Sequence, residues 1–90
     1  MAGYRLLIKP SAGKEIEALG HKKDRQRIVN RIAALASDPR PAGCEKLAGV
    51  EGRYRMRQGQ FRIVYGVDDA ARIVEVVKVG HRREVYRGAT

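Results

Sequence analysis

Ninety residues of about 10.0 kDa predict one domain, 1–90, and exclude a multi-domain enzyme, because a chain this short buries only roughly 60 to 65 per cent of its unfolded surface. With 43% apolar and 32% charged residues it can fill a small core, which argues against wholesale disorder. Nineteen Lys and Arg against ten Asp and Glu leave a net charge of +9, thirteen of the cations being Arg, and guanidinium grips phosphate oxygens in a planar, two-pronged way, so a polyanion or an acidic protein is favoured over a small neutral ligand.

Tyr4, Leu6 and Ile8 alternate with Arg5, Leu7 and Lys9, the period of a strand, and Pro10 ends it. Ser11 is placed to cap a helix of two to three turns that carries Ile16 and Leu19 and stops at Gly20. Arg5, Lys9, Lys14, Glu15 and Glu17 interrupt any apolar run of signal-peptide or membrane length here, so a cytoplasmic protein is expected. From Lys22 to Ser37, Ile28, Ile32, Leu35 and Ala36 recur at spacings of three and four among basic residues, which predicts an amphipathic helix. Asp38-Pro39-Arg40-Pro41 breaks it, and a loop is expected through Gly43 to Gly52. Cys44, the single cysteine, cannot bridge internally and reads as a small, partly buried thiol.

The remaining residues predict a three-stranded antiparallel meander. Tyr54 and Met56 alternate with Arg53, Arg55 and Arg57; Phe61, Ile63, Tyr65 and Val67 alternate with Arg62, Val64 and Gly66; Arg72 to Gly80 supply an apolar last strand. The fold class is therefore α+β, β-α-α-β-β-β, with two N-terminal helices packed on a small antiparallel sheet. With Gln58 and Gly59 as a two-residue turn, Met56 faces Phe61 and Arg55 faces Arg62. Tyr54, Met56, Phe61 and Ile63 then cover the helices, while Arg53, Arg55, Arg57, Gln60 and Arg62 share the opposite face. No acidic residue on either strand offsets the like-charged pair, so an anion is expected there.

The last strand runs into Gly80-His81-Arg82-Arg83-Glu84-Val85-Tyr86-Arg87, an imidazole, three guanidiniums and a phenol within eight residues. These are proton-transfer and phosphate-binding groups. No His pair stands at metal-ligand spacing, Asp68 and Asp69 fall in a turn, and neither a phosphate-binding glycine loop nor a serine elbow is present. No metal or cofactor is expected. What fits is cleavage of RNA by its own 2′-hydroxyl, which needs a proton acceptor, cations around the phosphorane and a donor for the departing 5′-oxygen. DNA lacks that hydroxyl.

The runs Y-R-M-R-Q-G-Q-F-R-I-V-Y from Tyr54 and V-V-K-V-G-H-R-R-E-V-Y-R from Val76, with the opening Y-R-L-L-I-K-P-S-A-G-K-E-I and the segment P-R-P-A-G-C-E-K-L-A-G, resemble the RelE branch of the RelE/ParE toxin superfamily. The resemblance spans essentially the whole chain. It implies a toxin of a type II toxin–antitoxin module with a microbial-ribonuclease-like fold, which enters the ribosomal A site, cuts mRNA there without metal, and has the ribosome, mRNA and a cognate antitoxin as partners.

By the same resemblance, Arg55 and Arg57 stand where RelE toxins carry a basic pair, and Arg62 where they carry the arginine that stabilises the transition-state phosphate. Arg82 matches an arginine on the leaving-group side, and Tyr86 the aromatic that stacks on a substrate base. Lys46, Arg53, Arg83 and Arg87 would hold RNA backbone. Some members have lysines at the basic pair, one of them the base for the 2′-hydroxyl. Arginine is not deprotonated in proteins, so Arg57 cannot inherit that role, and His81 is the candidate, imidazole being the general proton acceptor that enzymes use most often. His21, isolated between the helices, reads as a surface residue. Two alternatives stand beside the ribonuclease: a ParE-like toxin that poisons DNA gyrase, and a non-catalytic RNA- or ribosome-binding protein, for which aromatic stacking platforms are few.

Overall fold

The computed structural model describes residues 3–81. In chain order the elements are β1 (Arg5–Ile8), α1 (Pro10–Glu17), α2 (Lys22–Ala34), β2 (Glu45–Lys46), β3 (Arg53–Gln58), β4 (Phe61–Asp68) and β5 (Ile73–His81). The strands make one sheet in the order β1-β5-β4-β3-β2. Ala12 and Ile16 of α1, with Ile28, Ile32 and Leu35 from α2 and its end, bury themselves on Met56, Ile63, Tyr65, Val74, Val76 and Val79 of the sheet. The α+β expectation is met, with one correction to the sheet: β1 runs parallel to β5, from Arg5↔Ile73 to Ile8↔Val76, and only the other pairs are antiparallel. Alternation identifies a strand but not its partner, and the two helices and three strands between β1 and β5 leave chain enough for a parallel pairing.

Several boundaries differ from the sequence expectation for identifiable reasons. Pro10 takes the first position of α1, where a missing N–H costs nothing, so Lys9 rather than Ser11 is the N-cap residue and no side chain caps the helix. This helix ends at Glu17, before Gly20, and α2 ends at Ala34, before Ser37. The expected loop after Pro41 contains β2, a two-residue edge strand on β3. Among the described residues no helix is long and apolar enough to cross a membrane.

Among the described residues the edge of β5 beyond Ile8↔Val76 has no strand neighbour, and α1 takes its place. One carboxylate oxygen of Glu15 accepts the Val79 N–H at 2.9 Å, and the other meets Lys78 Nζ at 2.8 Å. An edge amide that would otherwise seek another chain is thereby satisfied from within.

The Pro39-Arg40 loop is tied to the sheet at two depths. Below, the buried Tyr65 hydroxyl donates to the Pro39 carbonyl at 2.8 Å. Above, Arg40 donates twice to Asp69, at 2.6 and 3.2 Å, and its Nε donates to the Tyr54 hydroxyl at 3.0 Å. Tyr4 donates to the same Asp69 at 2.6 Å. Arg40, and after it Tyr4, hold the Asp69 carboxyl below the usual carboxylate range. A carboxylate with a depressed value stabilises the fold above its unfolded value of 3.8 and loses that contribution as the pH falls further. Asp69→Asn is therefore expected to melt below the wild type at neutral pH, with the gap closing as the pH is taken below 3.8. Melting curves across that range check this, and a gap independent of pH would refute it.

Candidate functional site

The β3–β4 turn uses Gly59-Gln60, not Gln58-Gly59, so partners run from Arg53↔Gly66 to Arg57↔Arg62 and Gln58↔Phe61. Gly59 takes the first turn position with φ +61°, a conformation that glycine adopts without penalty and that suits a II′ hairpin. Moving the turn by one residue changes each partner by two, so the faces survive while the pairs change. Met56 now faces Ile63, Arg55 faces Val64, and the like-charged pair is Arg57 with Arg62 rather than Arg55 with Arg62. Such a pair costs a few tenths to about 1 kcal/mol.

Alternation puts Arg53, Arg55, Arg57 and Arg62 together on the face of the sheet away from the helices. Arg62, on the central strand β4, is only 4% exposed, whereas Arg57 across from it is exposed. Arg55 is half-buried, and its guanidinium meets Glu45 of β2 at 3.4 Å. Glu45 is an acidic neighbour that the sequence reading lacked, because β2 was not expected. A buried guanidinium beside a second, exposed one makes a strong seat for a doubly coordinated anion such as a phosphodiester.

The other expected site residues are distributed differently. Lys46 pairs with Tyr54, so it lies on the helix side at the sheet edge and is exposed. His81 pairs with Phe61, and its ring stands edge-on to the Phe61 ring at 5.3 Å, again on the helix side. The expectation that strand pairing sets this imidazole beside the guanidiniums is corrected. The cause is a bulge: Tyr65 pairs with Val76 but Val64 with Lys78, leaving Val77 unpaired. One extra residue reverses the facing of everything after it. It turns Val79 into the core, sets Gly80 opposite Arg62, and brings Lys78 out onto the arginine face. Unbroken alternation would have buried Lys78 behind Val74 and Val76, and that conflict, with the Val76-Val77 doublet, is the signal in the sequence that could have revealed the bulge. Arg82, Arg83, Tyr86 and Arg87 lie outside the described residues. Among the described residues no group of three or more His, Cys, Asp or Glu could hold a metal ion.

A site of this kind, on this fold, has relatives. The family model of the ParE toxin of the type II toxin–antitoxin system parDE matches residues 6–86. The chain belongs to the RelE/ParE toxin superfamily. It is 30% identical over 75 residues to toxin RelG of Mycobacterium tuberculosis, covering 73% of this chain and 86% of that protein. The isolated Escherichia coli RelE toxin superposes with a TM-score of 0.75 at 31% identity, covering 96% of this chain and 94% of the other. RelE in the archaeal RelE–RelB complex of Pyrococcus horikoshii superposes with a TM-score of 0.79 at 26% identity, over 91% and 97% of the two chains.

Proposed function

We propose that this chain is a metal-independent endoribonuclease toxin that cuts mRNA in the ribosomal A site and is neutralised by a cognate antitoxin. The observation that carries the reading is the buried Arg62 guanidinium directly opposite Arg57, with Arg55 and Arg53 in line on the same face. The 2′-oxygen attacks phosphorus as the P–O5′ bond breaks, leaving a 2′,3′-cyclic phosphate and a 5′-hydroxyl. Charge gathers on the phosphorane oxygens, which Arg57 and Arg62 are placed to meet.

The proton of the 2′-hydroxyl needs an acceptor that arginine cannot be. His81 takes that role in this reading on the chemistry of its side chain; its ring lies on the helix side against Phe61, so the role requires the imidazole to turn round the end of the sheet to the 2′-oxygen. Gly80, opposite Arg62, carries no side chain between the arginine face and that end. His81→Ala is expected to lower cleavage of ribosome-bound mRNA about 100-fold, the usual scale of a proton transfer; undiminished cleavage would remove His81 from the mechanism. Arg82 and Tyr86 follow as leaving-group and base-stacking residues by the family likeness, and Arg83 and Arg87 as backbone contacts; Lys46, on the helix side of the sheet edge, would meet the backbone only where it passes round that edge.

The antitoxin partner is supported by the solved RelE–RelB complexes among the similar structures. An acidic or amphipathic segment laid over the arginine face would supply both charge and burial. The family model's description as a ParE toxin favours one second reading, a gyrase poison on the same scaffold. Brief induction in cells separates the two: cuts inside translated codons bearing cyclic or 3′-phosphate ends support the ribonuclease, and a DNA-damage response with intact mRNA overturns it.

A further inference from the structure

The arginine face opens at Arg53 into a recess whose other lining residues have no part in the proposed cleavage. The segment between β2 and β3 folds back over the sheet, the Leu47 N–H donating to the Arg53 carbonyl at 2.9 Å. It encloses a cavity of about 180 Å³ against β4 and β5. Val64 and Val77 contribute apolar surface from the two strands, and Leu47 and Val50 from the folded-back segment. Cations complete the lining: Lys9, Arg53 and Lys78. Lys78 is engaged by Glu15 at 2.8 Å; Lys9 and Arg53 add two further cations to the lining, and Arg53 also borders a neighbouring hollow lined by Glu51, Asp68 and Glu75.

Three properties select an occupant. The volume lies below the roughly 300–1,000 Å³ of pockets that take a whole drug-sized ligand, so the recess suits one ring system and not an extended molecule. Its apolar surface suits the face of a planar group, and its charged groups are all hydrogen-bond donors without acceptor capacity. Its position supplies the third. Arg53 precedes Arg55 by two residues on the same face of β3, a step of about 6.8 Å, so a sugar–phosphate backbone tracking Arg57 and Arg55 continues to Arg53. The base attached at that step then stands over the recess.

We infer that this recess is a nucleobase subsite, taking one base of the RNA strand next to the scissile phosphate, with Lys9 and Arg53 on its flanking phosphate or on the base edge. The inference rests on the proposed RNA substrate. Because the lining offers donors, it favours bases that present acceptors, guanine through O6 and N7 or uracil through its carbonyl oxygens, over those that present an amino group at the same edge.

The test uses the full chain, fluorescently labelled, and ribosomes programmed with mRNAs made uncleavable by 2′-deoxy substitution at the cut in the A-site codon, with a single abasic residue moved one position at a time. Binding is followed by fluorescence anisotropy. One position is expected at which loss of the base weakens wild-type binding about tenfold, the scale of burying an apolar side chain's worth of surface. Val50→Trp, which fills the recess from a residue 41% exposed, is expected to bind intact RNA about tenfold more weakly and to ignore the abasic residue. Val29→Trp, on an equally exposed position of α2, is expected to behave as wild type. Lys9→Met is expected to reduce the salt slope by about one.

A flat abasic series, or the same abasic sensitivity in Val50→Trp as in wild type, overturns the subsite. So does a Val50→Trp variant that binds RNA normally but loses antitoxin, since the recess would then seat a protein side chain. The cleavage reading fails separately: base-dependent binding at one position with no cut mRNA in cells would leave the subsite standing and remove the ribonuclease.

Discussion

Arg62→Ala is expected to lower cleavage of ribosome-bound mRNA by about 10²- to 10³-fold, the loss seen when one preorganised donor to a developing oxyanion is removed. Arg62 is 4% exposed and faces Arg57 across the hairpin, so its charge acts in a poorly solvated place. There a guanidinium stabilises a phosphorane more than it would in water. Arg62→Lys should restore only part of the rate, because a compact ammonium cannot present two parallel N–H groups to two phosphate oxygens. Arg57→Ala should cost less, since Arg57 is exposed and better screened. Single-turnover cleavage at saturating ribosomes, normalised to folded protein, reads these effects without contamination from stability. Wild-type rates in Arg62→Ala would end the proposal that this face holds the scissile phosphate.

Tyr65→Ala is expected to be the most damaging single change to the fold, at about 3–5 kcal/mol, against a total of roughly 5–15 kcal/mol for a domain. Tyr65 is fully buried, its ring stacks on Tyr54 at 5.9 Å, and its hydroxyl holds the buried Pro39 carbonyl. Tyr65→Phe keeps the ring and strands that carbonyl, so about 1–3 kcal/mol should be lost, or roughly 4 to 24 °C in melting temperature. Burial pushes the Tyr65 phenol above its ordinary value of 10.0. A raised acid contributes stability fully below the unfolded value and loses it as the pH rises above 10.0, where the unfolded chain ionises first. The penalty of Tyr65→Phe should therefore shrink at alkaline pH. Denaturant titrations at pH 7 and above 10 check both points, and equal stabilities of Tyr65→Phe and wild type at pH 7 would show that the Pro39 contact contributes nothing.

Much of this molecule was readable from local pattern. Apolar residues at helical spacings, Ile28, Ile32 and Leu35 from α2 and its end with Ile16 on α1, and alternation along β3 and β4, placed these core residues correctly, whereas Ala12, buried one turn before Ile16, carried too small a side chain to stand out in the pattern. These periods belong to the covalent chain and need no partner to be seen. The arginine face was also legible, and it survived a misplaced turn because moving a hairpin turn by one residue alters partners in steps of two.

What the amino-acid order determined by itself was the set of helices and longer strands, the inward and outward sides of the β3–β4 hairpin, and the guanidiniums gathered there. Three features were decided only in three dimensions. The bulge at Val77 turned His81 away from the arginines and Lys78 toward them. The two-residue β2 brought Glu45 to Arg55. The parallel docking of β1 left the end of β5 to Glu15. Each depends on which backbone groups find one another across long stretches of chain, a competition among pairings of similar energy that hydrophobic period does not record and that closure of the whole core resolves.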